Sequence, residues 1–177
     1  MRISDIANSS SAEERIMRID RRMFLGAGMA TAVTAIIGGR ALSAPGPRYE
    51  LTLSDAEWRQ RLSPEAYQVL RHEATERAFS SPLNGEHRRG TFICAGCKLP
   101  LFASRTKFDS GTGWPSFYAP LPKAVVTSTD YKIGYPRTAV SCRRCGGHLG
   151  HVFDDGPPPT GKRYCMNGVA LAFLSAA

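Results

Sequence analysis

The sequence predicts a small, mainly β domain of the α+β class, with short helices at its N-terminal edge and a cluster of four cysteines. Two capped helix starts stand close together early in the domain. After Ser80, short apolar runs alternate with turns rich in Gly and Pro, which is typical of short strands. Two CxxC units lie among these runs. The alternating strand and helix pattern of a parallel α/β sheet is missing.

The N-terminal segment differs from the rest of the chain and is interpreted as an export signal. An uncharged run covers residues 23–38 and directly follows Arg21 and Arg22. This run is short for a membrane span, which needs about 20 apolar residues. A basic flank, a modest apolar stretch and small residues after it are typical of export signals, and the arginine pair resembles the twin-arginine signature of bacterial export. We therefore predict a signal, a linker and a folded domain, at residues 1–43, 44–53 and 54–177.

This interpretation predicts a periplasmic protein with no stable membrane span once the signal is removed. An uncleaved N-terminal anchor helix is the alternative.

Two short helices are expected to open the folded domain. Ser54 and Glu57 have the spacing of a capping box. Ser63 precedes Pro64, which puts a capping residue in front of a proline at the first helical position. An apolar face accompanies the second helix, at Leu62, Ala66, Val69 and Leu70. Five strands are predicted beyond it, at residues 91–94, 125–128, 139–142, 151–153 and 169–173.

The chain carries a net charge of +8, which is a first sign of an anionic partner. Its basic residues are dispersed, however, and they are not interleaved with aromatic residues in a stripe. We therefore expect a solvated surface and no nucleic-acid partner.

The two CxxC units predict a metal centre. Cys94 and Cys97 form the first unit, Cys142 and Cys145 form the second, and 44 residues separate them. Two residues between a pair of thiolates let both sulfur atoms face one ion, and two such units complete a tetrahedron. Because four thiolates leave no open coordination position, the ion would be a structural zinc, one per chain. Two disulfides are the alternative in an exported protein.

Cys165 is the fifth cysteine and stands apart from the other four. An odd cysteine is a candidate reactive thiol, although a lone cysteine is more often a small buried apolar residue. Arg163 and Asn167 flank it with a cation and a hydrogen-bond donor, which favour a thiolate. His148 and His151 precede it, and a histidine near a thiol is the usual arrangement in nucleophilic cysteine chemistry. Both histidines are also candidate zinc ligands, in competition with the cysteines.

Several motifs together resemble those of the methionine-R-sulfoxide reductase family. They cover about residues 55–175, in the order in which that family has them. Besides the two CxxC units, the matching segments are residues 75–79 (TERAF), 107–111 (KFDSG), 113–117 (GWPSF), 148–153 (HLGHVF), 155–157 (DGP) and 163–167 (RYCMN). The resemblance implies a fold of two small antiparallel sheets with N-terminal helices.

The resemblance also implies a role for each matching residue. Cys165 would attack the sulfoxide sulfur of an oxidised methionine, free or in a protein, and become a sulfenic acid. Three residues would bind and protonate the sulfoxide oxygen, namely His151, His148 and Asn167. Three others would line the substrate site, namely Trp114, Thr75 and Phe153. Trp114 would pack against the substrate methyl group and so select one sulfoxide epimer.

The sequence departs from the family's pattern at Thr112, where many members have a cysteine that recycles the enzyme. Because a threonine cannot form a disulfide, we expect an external thiol reductant, such as a thioredoxin-like protein, to act on Cys165 directly. A second and minor departure is Gly168, where a serine is common. Two rival functions stay open, a zinc-ribbon binding module without catalysis and a thiol peroxidase.

Overall fold

The structure, a computed structural model, describes residues 49–176. The predicted signal and the first part of the predicted linker lie outside these residues. The elements are α1 (Asp55–Arg61), α2 (Pro64–His72), β1 (Gly90–Cys94), β2 (Pro100–Ala103), β3 (Lys107–Phe108), β4 (Ser116–Phe117), β5 (Val125–Asp130), β6 (Arg137–Cys142), β7 (His148–Phe153), β8 (Arg163–Met166) and β9 (Leu171–Ser175). Within the described residues, no helix has the length and apolar character needed to cross a membrane.

Both predicted helix starts are confirmed. Ser54 caps α1 in a complete capping box, because its side chain accepts the Glu57 N–H and the Glu57 carboxylate accepts the Ser54 N–H. Ser63 caps α2 by accepting the N–H of Ala66 at 3.2 Å. These bonds satisfy amide groups that have no partner inside the first helical turn. The apolar face of α2, which includes Leu70, is buried, and α2 packs against β7.

The strands form two antiparallel sheets, as predicted. The small sheet has the order β2-β1-β9 and the large sheet the order β3-β4-β8-β7-β6-β5. Phe92 and Phe102 of the small sheet meet Phe117 of the large sheet, with ring centroids 4.9 and 4.3 Å from it. All three side chains are fully buried. This aromatic cluster therefore joins the two sheets into one core.

The strand predictions are correct in place but differ in extent. The five predicted strands correspond to β1, β5, β6, β7 and β9, whereas the sequence patterns do not reveal β2, β3, β4 and β8. Two of the missed strands have only two residues each, and β2 begins at a proline. Such segments are too short for an alternating apolar pattern to be recognised.

The C-terminal strand begins later than predicted, at Leu171 instead of Val169. The N–H groups of Gly168 and Val169 donate to the Glu76 carboxylate at 2.5 and 3.0 Å and not to a neighbouring strand. Gly168 also packs closely on Ser81: a Cβ atom at position 168 would lie 1.9 Å from the Oγ of Ser81. A larger residue at position 168 would therefore require Ser81 to shift.

Candidate active site and metal centre

The four cysteines of the CxxC units converge on one buried centre. Their Sγ atoms all lie within 4.8 Å of one another. Between the units, the Sγ atoms of Cys94 and Cys145 are 3.8 Å apart and those of Cys97 and Cys142 are 3.4 Å apart. A tetrahedron with Zn–S bonds of about 2.3 Å has edges of about 3.8 Å, so these donors fit a zinc ion. The zinc site is confirmed, and the disulfide alternative is wrong because all four cysteines are free.

Local backbone geometry builds each half of the metal site. Cys94 ends β1 of the small sheet and Cys142 ends β6 of the large sheet. Lys98 and Gly146 adopt left-handed backbone conformations, with φ of 62° and 70°, and their N–H groups donate to the carbonyls of Cys94 and Cys142. Leu70 of α2 packs beside both units. The zinc therefore connects both sheets beneath the helices.

The histidines belong to a different part of the molecule. The cluster of potential metal ligands found in residues 49–176 contains the four cysteines and neither His148 nor His151. Neither histidine is therefore a ligand of this zinc site. Because four thiolates fill the coordination sphere, the zinc has no position left for a substrate.

Cys165 lies on β8, an interior strand of the large sheet. Its direct partner on β7 is His151, and its direct partner on β4 is Ser116. Directly opposed residues of antiparallel strands project to the same face of the sheet, so the thiol and the imidazole share one face. Gly150 permits this approach, because a Cβ atom there would lie 2.1 Å from the Cys165 carbonyl oxygen. The strand register therefore brings together the two residues that the sequence singled out.

The thiol opens onto a pocket of about 120 Å³. Its lining consists of Thr75, Trp114, Arg137, Gly150, His151, Phe153, Cys165 and Asn167. Six of the seven predicted catalytic and substrate residues thus meet at one place, and His148 is the exception. Sites for drug-sized ligands have volumes of about 300–1,000 Å³, so this pocket is suited to a single side chain. A larger groove of about 610 Å³ on the small sheet contains none of these residues.

His148 lies on β7 behind the pocket. Its side chain is buried, and its ring centroid is 5.3 Å from that of His151. Burial, with a smaller contribution from His151, lowers the pKa of His148 to about 4. A neutral His148 therefore supports the His151 ring from the side, and a direct contact between His148 and a substrate stays a prediction.

Two lining residues are held by the backbone of Glu76. The Trp114 Nε1–H donates to the Glu76 carbonyl at 3.2 Å. The side-chain oxygen of Asn167 accepts the Glu76 N–H at 3.0 Å, and its Nδ2 donates to the Leu149 carbonyl at 3.1 Å. Both ends of the Asn167 amide are thus engaged in the fold. The segment containing Glu76 fixes the wall of the pocket from outside the large sheet.

Asp130 and Arg137 complete the site, and sequence reasoning missed both. His151 Nε2 lies 2.8 Å from Asp130 Oδ2, which also accepts from Arg137 Nη2 at 2.5 Å. The backbone N–H of Lys132, together with the His151 and Arg137 contacts, holds the pKa of Asp130 well below its usual range. Because an ionised carboxylate only accepts, the Nε2 of His151 carries the hydrogen. The one feature of the sequence that could have indicated them is that these two oppositely charged residues flank the turn at residues 131–136.

Burial raises the pKa of the Cys165 thiol above its ordinary value. The Thr112 hydroxyl, 3.8 Å from Sγ, and the Arg163 charge act in the opposite direction but are the smaller effects. Arg163 donates two hydrogen bonds to Asp155, at 2.9 and 2.8 Å, and Asn167 is engaged with the backbone. Burial therefore acts against the thiolate that these two flanking residues were expected to favour, and their effect on Cys165 stays a prediction.

Comparisons with known proteins agree with this geometry. Residues 62–175 match the SelR domain. Over 118 residues, 66% of this chain and 89% of the relative, the chain is 58% identical to peptide methionine sulfoxide reductase MsrB of Pseudomonas putida. The proteins of the same name from Agrobacterium fabrum and Leptospira interrogans are 53% and 50% identical, over 68% and 71% of this chain and 90% and 96% of their own lengths. The chain therefore belongs to the SelR-domain family, the methionine-R-sulfoxide reductases.

Proposed function

We propose that this chain reduces methionine-R-sulfoxide, free or in proteins, to methionine. The observation that carries the proposal is the direct pairing of Cys165 with His151 at the floor of a pocket that fits one side chain, in a chain of this family. A zinc-ribbon binding module would need neither this pocket nor the network of Asp130, Arg137 and His151 beside it.

We assign activation of the substrate to His151. Sulfoxide sulfur is weakly electrophilic until its oxygen is protonated or strongly hydrogen-bonded, so a nucleophile and an acid must act at the same centre. Asp130 accepts the hydrogen on Nε2, so Nδ1 is the ring nitrogen left for the reaction, and it acts as an acid after taking up the proton that the Cys165 thiol releases on attack. Arg137 holds Asp130 in place. The network therefore orients an acid next to the Cys165 thiol.

The reaction transfers oxygen from the substrate to Cys165. Sγ forms a bond to the sulfoxide sulfur while the thiol proton passes through His151 to the sulfoxide oxygen. The sulfur–oxygen bond of the substrate then breaks as the oxygen moves to Sγ, and the bond between Sγ and the substrate sulfur breaks to release methionine. Methionine is reduced by two electrons and Cys165 is oxidised by two electrons to a sulfenic acid, so the step balances without another reactant. The zinc would stabilise the fold and would take no part in this reaction.

Selection between epimers is the experiment that tests this function. We expect single-turnover reduction of the R epimer and no reduction of the S epimer, because the fixed Trp114 ring leaves one place for the substrate methyl group. The measurement is chromatography of each epimer after mixing with one equivalent of enzyme. Equal turnover of both epimers would refute the role of Trp114, and turnover of peroxide alone would indicate a thiol peroxidase.

The recycling step is expected to use an external thiol. Thr112 stands next to the thiol, with Oγ1 3.8 Å from Sγ, but cannot form a disulfide, and the other four cysteines are zinc ligands. A sulfenic acid that persists after one turnover, and that a dimedone-type reagent traps, is the expected result. Thr112→Cys should instead form a disulfide with Cys165, because the side chains already touch. Mass spectrometry that finds a disulfide between Cys165 and a zinc ligand in the wild type would contradict this scheme.

Export through the twin-arginine route is part of the proposal. The support is the sequence pattern at Arg21 and Arg22, and the four thiolates, which would be protected from oxidation if zinc were bound before export of the folded protein. Replacing both arginines with lysine should retain the protein in the cytoplasm of a bacterial host. Cell fractionation measures this, and unchanged export of the double variant would indicate another route.

A further inference from the structure

We infer that the tip of the β5–β6 hairpin is a docking surface for apolar polypeptide segments that flank an oxidised methionine. This inference rests on the proposed function and adds to it a surface outside the pocket. The hairpin tip is defined here as residues 131–136, which connect Asp130 to Arg137.

The hairpin tip presents an unusual concentration of apolar side chains to solvent. Tyr131, Ile133 and Tyr135 are 68%, 50% and 58% exposed. They are half of the six large apolar side chains that are exposed in residues 49–176, and they lie within five residues. Monomeric proteins rarely expose apolar side chains in such groups, and tyrosine is enriched in protein interfaces. The hairpin tip therefore has the composition of a binding surface.

The position of the hairpin tip connects it to the reaction. Asp130 and Arg137 are the last paired residues of the hairpin; Asp130 bonds to His151, and Arg137 lines the pocket. The exposed apolar residues thus begin one residue beyond the groups that hold the catalytic histidine. Since the pocket of about 120 Å³ fits a single side chain, the rest of a peptide substrate has to lie on the surface around its mouth.

Two hydrogen bonds and an ion pair also constrain the hairpin tip. The Lys132 N–H donates to Asp130 Oδ1 at 2.8 Å, and the Gly134 N–H donates to the Tyr131 carbonyl at 3.0 Å. The Lys132 ammonium pairs with Glu73 at the end of α2, with 2.5 Å between Nζ and Oε2. A preorganised apolar surface loses little conformational entropy when a partner binds.

A second apolar surface on the other side of Cys165 favours a polypeptide as the occupant. Trp114 precedes β4, and the sheet order puts β4 and the β5–β6 hairpin on opposite sides of β8. Trp114 also lines a neighbouring groove of about 270 Å³, together with Phe79, which is 73% exposed. The Phe79 N–H donates to the Gly113 carbonyl at 2.7 Å and keeps this residue at the groove. An extended chain that enters over the hairpin tip can therefore continue past Trp114.

Substrates that differ only in what flanks the sulfoxide test this inference. The three substrates are free methionine-R-sulfoxide, a peptide with leucine and phenylalanine around one methionine-R-sulfoxide, and a peptide of equal length with glycine and serine there. The proteins are the full wild-type chain, the triple variant Tyr131→Ser/Ile133→Ser/Tyr135→Ser and the single variant Ile133→Ser. Leu174→Ser is the matched control, because Leu174 is 55% exposed on the small sheet. Single-turnover rates at varied substrate concentration measure the reduction step without a reductant.

We expect the triple variant to lose about tenfold or more in its apparent second-order rate constant with the apolar peptide, since partly buried apolar side chains contribute at this level. Free methionine sulfoxide should react at the wild-type rate, Ile133→Ser should show a smaller loss of the same selectivity, and Leu174→Ser should show none. All the substituted residues are exposed, so the Tm of each variant should equal that of the wild type, which confirms that the fold is intact.

Three results would overturn the inference. Equal losses with all three substrates would mean that the hairpin only positions His151. No loss with any of them, when the wild type reduces them all, would show that the hairpin tip does not touch the substrate. Unchanged single-turnover rates, together with a raised KM for a thioredoxin-type reductant in a separate multiple-turnover assay of the triple variant, would show that the hairpin tip is instead a docking surface for the reductant. If the wild type reduced none of the substrates, the proposed function itself would be wrong.

Discussion

Replacing Cys165 with serine is expected to abolish the reduction of methionine-R-sulfoxide while the protein keeps its fold and its zinc. Serine has nearly the same shape, but its hydroxyl is a far weaker nucleophile and cannot store the oxygen as a sulfenic acid. Cys165 lies outside the four-cysteine cluster, so the metal content should not change. Single-turnover assays, zinc analysis and thermal unfolding measure the three properties. Turnover of the serine variant at the wild-type rate would show that Cys165 is not the nucleophile.

The pH dependence of the wild type should follow the buried thiol. Because burial raises the pKa of Cys165, the thiol is mostly protonated at neutral pH, and its reactive thiolate fraction grows as pH rises. Alkylation of Cys165 by iodoacetamide is therefore expected to accelerate with pH up to and beyond pH 9. A plateau below pH 7 would contradict the dominance of burial.

Replacing His151 in the same assay separates acid catalysis from nucleophilicity. His151→Ala should slow the reduction step by roughly 100-fold or more, in the range of general acid catalysis. Alkylation of Cys165 should still proceed, because the thiol is retained. Asp130→Asn should give a smaller loss and a changed pH–rate profile, since asparagine keeps the shape but not the charge next to Nε2. Glu73→Gln is its matched control, because Glu73 tethers the same hairpin through Lys132 without touching His151.

Loss of the zinc is expected to unfold the domain. Structural zinc sites contribute about 10–16 kcal/mol in zinc-finger peptides, while whole domains are stable by about 5–15 kcal/mol, so the fold cannot tolerate the loss of the ion. The geometry gives the reason, since the cysteines connect β1 of one sheet with β6 of the other. Cys94→Ser should therefore prevent soluble expression or lower the Tm sharply, and a strong chelator should unfold the wild type.

Cys165→Ser is the control for this experiment, because it removes a cysteine of the same chain without touching the metal. It should retain about one zinc per chain and the wild-type Tm. A Cys94→Ser protein with an unchanged Tm, or wild-type protein purified without zinc, would contradict the structural role of the metal.

Features encoded within a few residues could be predicted from the sequence alone. The capping box at Ser54 and the cap at Ser63 form as predicted, because a serine three residues before a helical amide has only to adopt one rotamer. The two CxxC units were sufficient for the zinc site, since each positions two thiolates by its own backbone turn and the metal joins them. The resemblance of the motifs then identified the residues that line the pocket.

Only the tertiary structure decided the electrostatics and the detailed contacts of the site. The ion-paired Asp130 reaches His151 because of the register of three strands, and a residue 21 positions away in sequence carries no local signal of that contact. The pKa of Cys165 depends on how much water the whole fold excludes, and burial raises it against the effect of the neighbouring Arg163. The start of β9 depends on Glu76, which captures two amides from a distant segment. Short-range geometry thus determined the elements and the metal ligands, while strand register and desolvation, which are properties of the assembled fold, determined how the catalytic groups are charged and held.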